Sequence, residues 1–290
     1  MKDFKGIYPA LLTPYDENDR INEKSLEKLI EMNIAKGVTG FYVGGSTGEA
    51  FLLSHEERKE VYKLVSDIVK GRVNLIAHVG AIGTKLTLDL AQYAESVGFD
   101  AVSSVAPFYY GFSYDEIKDF YFDIANNTSV PMLLYYVPVL VNSKLGVDGL
   151  SEFLESDRFM GVKYTSNDFF GLERLKTKYP DKVVFNGFDE ILLSGLSMGA
   201  DGGIGSTYNC FAEKYVEMYK CFKEGNLARC QELQKEANDI IDALCKVGVF
   251  AGEKEILNMM GMDFGTPRKP FKGLNVEQKA FLRSKVEHLL

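Results

Sequence analysis

Eight short apolar runs, each followed by a helical pattern, constrain the fold of this chain more than any other feature. The runs are mostly continuous rather than alternating, which is typical of strands buried on both faces, as in parallel sheets. Eight strand–helix units predict an α/β fold, a (β/α)8 TIM barrel, and a doubly wound open sheet is the alternative. The runs are GIYPALLTP (6–14), GFYVGGSTGE (40–49), VNLIAHVG (73–80), AVSSVAPF (101–108), PMLLYYVP (131–138), FMGVKYTS (159–166), KVVFNGFDE (182–190) and DGGIGSTYN (201–209).

Serine residues mark the starts of two of the helices. Ser54 and Ser113 are each followed three residues later by a glutamate, Glu57 and Glu116, and this spacing predicts a capping box at both positions. The first of these helices is expected to end near Gly71, because glycine commonly follows the end of a helix. Further helices are predicted from about residue 22 and over 84–98, 147–155 and 168–178.

The chain divides into two predicted regions. Residues 1–225 are expected to form the barrel, because the last strand needs one more helix to close it. Beyond residue 211 the sequence shows only helical patterns. Residues 226–290 are therefore predicted to be a C-terminal helical extension.

The composition excludes several classes of function. Of 290 residues, 46% are hydrophobic and 26% are charged, and the net charge is −8; an acidic chain with no basic run is a poor candidate for binding nucleic acid. No apolar stretch approaches the ~20 residues that span a bilayer, and the first residues do not resemble a signal peptide. The four cysteines form no C-x-x-C pair, which favours free thiols in a reducing cytoplasm. We therefore expect a cytoplasmic protein with no nucleic-acid or membrane partner.

Polar residues follow the predicted strands at the ends that meet at one rim of a TIM barrel, where active sites lie. Lys163 follows the apolar residues of the sixth run, and taken alone it favours a surface position, because lysine is rarely buried. The other strand ends change this interpretation, since they bring tyrosines, hydroxyls, glycine amides and carboxylates to the same rim. These candidates are Ser46 and Thr47 near the end of the second run, Tyr109 and Tyr110 after the fourth, Tyr135 in the fifth, Thr165 near the end of the sixth, Gly187, Asp189 and Glu190 at the end of the seventh, and Gly205 and Ser206 in the eighth.

Each of these elements also has a purely structural interpretation. The GGSTGE segment (44–49) is either a tight turn or a nest of backbone amides for a carboxylate or phosphate. Tyr135 either fills the barrel or faces the site, and Asp189 with Glu190 either caps the next helix or binds a ligand. The DGGIGS segment (201–206) either cradles a phosphate or provides small residues for packing.

Two other motifs resemble catalytic signatures in the wrong context. GLSMG (195–199) matches the G-x-S-x-G of a nucleophile elbow, but it closes a helix and precedes a strand, whereas the elbow follows one. GAIGTK (80–85) lacks the P-loop spacing. The three histidines, His55, His78 and His288, are too scattered for a metal site. We predict no metal site, and we interpret His78 as a core residue.

A lysine in a desolvated pocket supports a definite chemistry. Burial disfavours the ammonium form, so the neutral amine becomes available to attack a carbonyl and form a Schiff base. The iminium then accepts electrons from a neighbouring C–C bond. Tyr135 and Thr47, with Tyr109 or Tyr110, would supply the proton shuttle, and Ser46 with Thr47 would bind the carboxylate of a keto acid. The predicted protein is an aldolase that needs no cofactor.

These motifs make the chain similar to a known family. It resembles the N-acetylneuraminate lyase subgroup of the dihydrodipicolinate synthase superfamily, which comprises class I aldolases on a TIM barrel. Tyr135 precedes Lys163 by the interval found in that family. The resemblance runs from the first strand to the C-terminal helices, and its segments are GGSTGEAF (44–51), LLYYVP (133–138), GVKYTS (161–166), FNGFDEI (185–191) and ADGGIGSTYN (200–209).

The resemblance implies a role for each matching position. Lys163 matches the Schiff-base lysine, Tyr135 the proton-shuttling tyrosine, and Ser46 with Thr47 the pair that binds the keto-acid carboxylate. Tyr110, rather than Tyr109, matches a tyrosine that reaches the site of a neighbouring subunit, and the family implies a homotetramer. The positions that match contacts to the sugar-derived tail are Gly187, Asp189, Glu190 and Ser206, with Thr165 and Gly205 nearby.

The implied reaction is reversible cleavage of N-acetylneuraminate to pyruvate and N-acetyl-D-mannosamine. The alternative within the superfamily is dihydrodipicolinate synthase, which usually carries an arginine soon after the Tyr-x-x-Pro segment; residues 135–141, YYVPVLV, contain none. A 2-keto-3-deoxy-sugar-acid aldolase is a further alternative, and a non-catalytic sugar-acid sensor is the alternative from another class. Tyr136 departs from the subgroup, which often has asparagine there.

Overall fold

The eight predicted apolar runs form eight strands in the structure, a computed structural model that describes residues 2–141 and 145–290. Each strand is shorter than its run, because the carboxyl end of the run forms a loop. The strands are β1 Gly6–Pro9, β2 Gly40–Val43, β3 Asn74–His78, β4 Ala101–Val105, β5 Met132–Tyr136, β6 Phe159–Tyr164, β7 Val183–Asn186 and β8 Gly202–Gly205.

Helices alternate with these strands and continue beyond the last one. Within the described residues they are α1 Glu23–Ala35, α2 His55–Val69, α3 Thr84–Ser96, α4 Tyr114–Asn126, α5 Val147–Leu154, α6 Phe169–Lys178, α7 Leu192–Ser197, α8 Tyr208–Lys223, α9 Leu227–Val247, α10 Val249–Met259 and α11 Val276–Val286. Short 3₁₀ turns lie at Asp189–Ile191 and Glu287–Leu289. None of these helices is long and apolar enough to cross a membrane.

The strands form one parallel sheet that curls into a nearly closed barrel. They pair in the order β1-β8-β7-β6-β5-β4-β3-β2. A bridge between Ala10 and Tyr42 joins β1 to β2 at the remaining seam, where the Leu11 N–H donates to the Tyr42 carbonyl at 2.8 Å. The predicted TIM barrel is confirmed, and the doubly wound alternative is excluded.

Side chains fill the interior of the barrel. Because the helices cover the outside of the sheet, nearly every strand residue is buried, which explains the continuous apolar runs. The inward-facing side chains form a cluster of their own, separate from the larger core between strands and helices. That inner cluster comprises Phe4, Tyr8, Ala10, Tyr42, Ile76, Ala101, Val105, Leu133, Tyr135, Val137, Met160, Phe185 and Ile204.

The predicted helix starts are confirmed, and one helix end differs slightly. Ser54 caps α2 and Ser113 caps α4, each in a capping box with the expected glutamate. Helix α2 ends at Val69 rather than at Gly71, because Lys70 already turns into the left-handed region with a φ of 51°. Gly71, with a φ of 71°, continues the reversal.

The C-terminal helices pack against the barrel beside the rim. Helix α9 packs on α8 and on the turn Asp189–Ile191. Gln234 and Asn238 on α9 donate side-chain hydrogen bonds of 3.1 Å to the carbonyls of Asp189 and Glu190. The division into regions at residue 226 stays a prediction, but the helices beyond it clearly support the end of the barrel that carries the polar residues.

Candidate active site

A cavity of about 330 Å³ opens at the carboxyl ends of the strands. It gathers the polar residues that follow four different strands, and apolar side chains complete its wall. The lining residues are Ala10, Ser46, Thr47, Tyr135, Val137, Val139, Leu140, Lys163, Thr165, Gly187, Phe188, Asp189, Glu190, Ile204, Gly205, Ser206, Thr207, Ile241, Leu244, Cys245, Val249 and Phe250.

Lys163 lies at the floor of this cavity. Strand β6 places it one residue from the strand end, and only 5% of its surface is exposed. Its Nζ atom lies 4.2 Å from the centre of the Tyr135 ring and 4.4 Å from that of the Tyr42 ring. The structure therefore gives the buried position rather than the surface position that the strand alone favoured.

The surroundings of Lys163 favour its neutral form. Burial lowers the pKa of Lys163 to about 7, and the carboxylate of Asp189 partly opposes this shift. A shift of this size from the usual 10.5 means that the site disfavours the charged form relative to the neutral form by about 5 kcal/mol more than water does. A substantial fraction of the amine is thus nucleophilic near neutral pH.

Tyr135 lies beside Lys163 because β5 and β6 are neighbours in register. The two residues are paired across the parallel ladder, so their side chains leave the sheet on the same face. Tyr135 is 7% exposed. Burial raises the pKa of its phenol, and the hydroxyls of Thr165 and Ser46 partly offset that effect. The phenol is therefore protonated at neutral pH and is surrounded by hydroxyl groups that can pass a proton.

Ser46 and Thr47 line the cavity on the loop between β2 and α2. The strand ends at Val43, and Gly44 reverses the chain with a φ of 72°. On the other side of the turn, the Thr13 hydroxyl donates to the Gly48 carbonyl at 2.9 Å. The loop is thereby tied to the segment that follows β1, and Ser46 and Thr47 both line the cavity that contains Lys163.

One carboxylate oxygen of Asp189 is hydrogen-bonded within the protein. Its Oδ2 atom accepts hydrogen bonds from the Thr207 N–H at 2.8 Å and from the Thr207 hydroxyl at 2.6 Å. Burial raises the pKa of Asp189 to about 6, while the bonds from Thr207 oppose this shift. Glu190, by contrast, is exposed at the cavity mouth. One oxygen of Asp189 is therefore already bonded to Thr207, whereas the carboxylate of Glu190 is open to a ligand at the cavity mouth.

The two glycines at the rim are required by close packing. A Cβ atom on Gly187 would lie 1.9 Å from Oγ1 of Thr165, and one on Gly205 would lie 2.0 Å from Oδ1 of Asp189. Both distances are far below a van der Waals contact, so glycine at these positions lets Thr165 and Asp189 approach the cavity. Ser206 lines the cavity next to them.

Tyr110 is the one predicted site residue that the fold does not bring to the cavity of its own chain. Tyr109 and Tyr110 are 85% and 66% exposed, and neither belongs to the described lining residues. The role of Tyr110 in a neighbouring subunit stays a prediction. Tyr136, the departure from the subgroup, packs against the ring of Tyr164 and also lies outside the described cavity wall.

One buried aromatic side chain that packs against Lys163 was not predicted from the sequence. Tyr42 on β2 packs against Lys163 and shares a 3.0 Å hydrogen bond with Ser103. The ring of His78 lies 5.9 Å from that of Tyr135, and burial lowers the pKa of His78 to about 3. His78 is therefore a neutral core residue, as predicted. The sequence does not indicate that Tyr42 contacts Lys163, because an aromatic residue inside a strand usually packs in the barrel interior.

The sequence analysis also missed the contribution of the C-terminal helices to the cavity wall. These apolar and thiol side chains come from α9 and α10. An amphipathic pattern predicts that such helices have an apolar face, but it does not show what the face covers. The residues are Ile241, Leu244, Cys245, Val249 and Phe250.

The GLSMG motif has the position that its context predicted. Ser197 is the last residue of α7, is exposed, and donates a 2.8 Å hydrogen bond to the Leu193 carbonyl. It does not follow a strand, and it lies outside the described cavity wall. Ser197 is therefore not placed as a nucleophile.

Comparisons with known proteins agree with the fold and with the family expected from the sequence. The model of the dihydrodipicolinate synthetase family matches residues 3–289. N-acetylneuraminate lyase of Citrobacter koseri is 43% identical over all of this chain and 98% of its own. A crystal structure of CdNal from Clostridium difficile in complex with mannosamine has a TM-score of 0.97 at 36% identity over the whole of both chains. N-acetylneuraminate lyase of Fusobacterium nucleatum has a TM-score of 0.94 at 40% identity over 99% of both chains.

The chain belongs to the dihydrodipicolinate synthetase family. The family expectation from the sequence motifs is confirmed. The relatives from Citrobacter koseri and Fusobacterium nucleatum are N-acetylneuraminate lyases, which are carbon–carbon lyases.

The lowered pKa of Lys163 predicts its reactivity toward an amine-specific reagent. Because only the neutral amine reacts, acetylation of Lys163 should rise with pH around a midpoint of about 7, whereas an unperturbed lysine has a midpoint of ~10.4. The measurement is competitive labelling with acetic anhydride, with each lysine followed by peptide mass spectrometry.

An Asp189→Asn variant provides the control for this measurement. Since the Asp189 carboxylate holds the pKa of Lys163 up, its removal should move the midpoint to lower pH. A midpoint above pH 9 in the unmodified protein would show that the amine is not desolvated.

Proposed function

We propose that this protein is a Schiff-base aldolase that reversibly cleaves N-acetylneuraminate to pyruvate and N-acetyl-D-mannosamine. The observation that carries the proposal is the buried Lys163, whose pKa is lowered to about 7, next to the phenol of Tyr135. A lysine with a purely structural role would not stabilise the fold from such a position, because burial of its ammonium group is unfavourable. The names of the relatives support the same substrate.

The first step joins the substrate to the enzyme. The neutral amine of Lys163 attacks the C2 keto carbon of the open-chain sugar acid, and loss of water gives an iminium. Ser46 and Thr47 hold the substrate carboxylate, which places C2 beside Nζ. The hydroxyl and amide groups of this loop are suited to a carboxylate because they are hydrogen-bond donors.

The second step breaks the carbon–carbon bond. Tyr135 relays the proton of the C4 hydroxyl: its phenol oxygen accepts this proton while its own proton passes, with the help of Thr47, to the substrate carboxylate. The C3–C4 bonding electrons move to the iminium, so that an aldehyde and an enamine form. Protonation of the enamine at C3 and hydrolysis of the resulting iminium release pyruvate and regenerate the amine. The reaction balances without any cofactor.

The rest of the cavity suits a long hydroxylated substrate. Asp189, Glu190 and Ser206, with Thr165 and the backbone at Gly187 and Gly205, would receive the hydroxyl groups of the tail. Phe250 and Val249 on α10 add an apolar part to the wall of the same cavity. The acetyl methyl group is the apolar part of the substrate that such a wall would contact.

Among the alternatives, dihydrodipicolinate synthase activity has the least support from the cavity. Its second substrate carries a carboxylate that an arginine usually holds. In the described part of the chain no arginine lines the cavity, whose charged wall residues are Lys163, Asp189 and Glu190. Two acids at the tail end would repel a second carboxylate. A keto-deoxy-sugar-acid aldolase shares the hydroxyl-binding residues and is therefore the alternative that an assay must separate.

We also propose a cytoplasmic homotetramer. The four cysteines are free thiols in the structure, as suits a reducing compartment. The exposed, mutually packed rings of Tyr109 and Tyr110 are available for contact with a second copy of the chain. The only partner that the reaction requires is its small-molecule substrate.

The substrate is tested by coupling pyruvate release to lactate dehydrogenase. We expect NADH oxidation with N-acetylneuraminate and much less with 2-keto-3-deoxygluconate. With pyruvate and aspartate semialdehyde as substrates, the reaction is measured as the loss of pyruvate, and we expect the lowest rate of the three. Equal or higher activity with the gluconate would reassign the substrate. No turnover of any of the three would favour the sensor alternative.

The role of Tyr135 is tested by its replacement with phenylalanine. Loss of the shuttle should lower kcat by about 10²–10⁴-fold, while borohydride trapping of pyruvate should fall much less, because trapping does not break the C3–C4 bond. Tyr136→Phe is the matched control, since Tyr136 is adjacent but lies outside the described cavity wall. Equal losses of turnover and trapping in the Tyr135 variant would contradict the shuttle.

The placement of Tyr110 is tested by mixing two inactive variants. Lys163→Ala and Tyr110→Ala subunits, dissociated and reassembled together, should give more activity than the sum of the two alone, because some sites then receive both residues from different chains. Sedimentation velocity should show a tetramer in each sample. Exchanged subunits without a gain in activity would place Tyr110 outside the neighbouring site.

A further inference from the structure

A fully buried ion pair joins the C-terminal helices to the loop that carries Ser46 and Thr47. Oε1 of Glu49 lies 2.6 Å from Nζ of Lys254, and both side chains are completely shielded from solvent. Glu49 follows Thr47 by two residues, and Lys254 lies on α10. Neither residue belongs to the described lining of the cavity, so the pair acts from behind it.

Further contacts complete the surroundings of the pair. The backbone N–H of Arg268 donates to Oε2 of Glu49 at 2.7 Å. The cationic groups of Lys254 and Arg268 lie 4.1 Å and 4.5 Å from the centre of the Tyr15 ring. The Arg268 guanidinium also pairs with Glu57 on α2. Two separate parts of the C-terminal region therefore contact a single carboxylate in the β2–α2 loop.

The backbone of Glu49 shows why the loop needs this support. Its φ is 59°, in the left-handed region that is unfavourable for a residue other than glycine. Such a conformation persists only where the surrounding structure holds it. The Glu49 N–H donates to the Ser46 carbonyl at 3.0 Å, and the Ala50 N–H donates to the Gly45 carbonyl at 3.3 Å. The conformation of Glu49 thus defines the turn that directs Ser46 and Thr47 into the cavity.

Stability alone does not account for a pair buried so deeply. Removing two charges from water is costly, and apolar residues of similar size are often as stable or more stable. Burial also lowers the pKa of Lys254 to about 8. What the pair provides and apolar residues do not is a short charge–charge contact, which acts together with the hydrogen bond from the Arg268 N–H to fix the position of the carboxylate. That carboxylate is attached to the turn.

We propose that Glu49 and Lys254 are positioning residues that set the affinity of the site for a keto-acid carboxylate, by holding the Ser46–Thr47 turn against the C-terminal helices. The ligand in this statement rests on the proposed function. The positioning of the turn rests only on the contacts described above. The C-terminal region is then part of the binding site and more than a support for the barrel.

Three variants separate positioning from general stability. Lys254→Met leaves the Glu49 carboxylate buried without its partner, and Glu49→Leu with Lys254→Met removes both charges, so that the double variant is expected to fold even if the single one does not. Lys176→Met is the matched control. It breaks the largely buried pair of Lys176 with Asp201, at 2.8 Å, which lies at the amino end of β8 and therefore at the opposite end of the barrel.

The first readout is the pyruvate concentration that gives half-maximal trapping by borohydride. We expect this concentration to rise about tenfold in the single and the double variant. A tenfold rise corresponds to the loss of one hydrogen bond from the turn to the pyruvate carboxylate. Trapping at saturating pyruvate should stay close to that of the parent, because neither residue lines the cavity beside Lys163. The control should match the parent in both respects.

The second readout needs no chemistry. Amide hydrogen exchange of residues 45–52 should be faster in the single and the double variant and unchanged in the control. A parental half-saturation value or parental exchange in the folded double variant would overturn the proposal. If the parent protein traps no pyruvate, the proposed function fails, and the exchange measurement still decides whether the pair holds the turn.

Discussion

The fold of this protein depends on strands that are buried on both faces. A parallel barrel wrapped in helices leaves no solvated side for its sheet, so the strands tolerate apolar residues almost throughout. Polar side chains are therefore displaced to the strand ends, where the barrel opens. Lys163 occupies the last position but one of β6, and the same constraint brings Ser46, Asp189 and Ser206 to the rim from other strands.

The same burial gives the lysine its reactivity. Its amine is shielded by the rings of Tyr42 and Tyr135 and has a single carboxylate, Asp189, close enough to raise its pKa appreciably. That carboxylate is itself held by Thr207, so it does not collapse onto the lysine. The chemistry therefore follows from packing as much as from the identity of the residue.

The sequence predicted what depends on local patterns and on the rules of parallel barrels. Continuous apolar runs gave the eight strands, the spacing from Ser54 to Glu57 gave a helix start, and the strand ends gave most of the cavity. Contacts between distant segments could not be predicted in this way. Phe250 joins the wall and Lys254 reaches Glu49 because α9 and α10 fold back over the rim, and helical periodicity does not specify the surface that an apolar face will cover. The sequence pattern also does not show that one carboxylate oxygen of Asp189 accepts hydrogen bonds from Thr207.

The proposed reaction depends on a covalent bond between Lys163 and a keto acid whose carboxylate lies on the Ser46–Thr47 turn. A crystal structure of the protein after treatment with pyruvate and borohydride tests both parts at once. It should show continuous electron density from Nζ of Lys163 to C2 of the reduced adduct, with the carboxylate accepting hydrogen bonds from Ser46 and Thr47. An unmodified Lys163, or a carboxylate bound elsewhere in the cavity, would contradict the account.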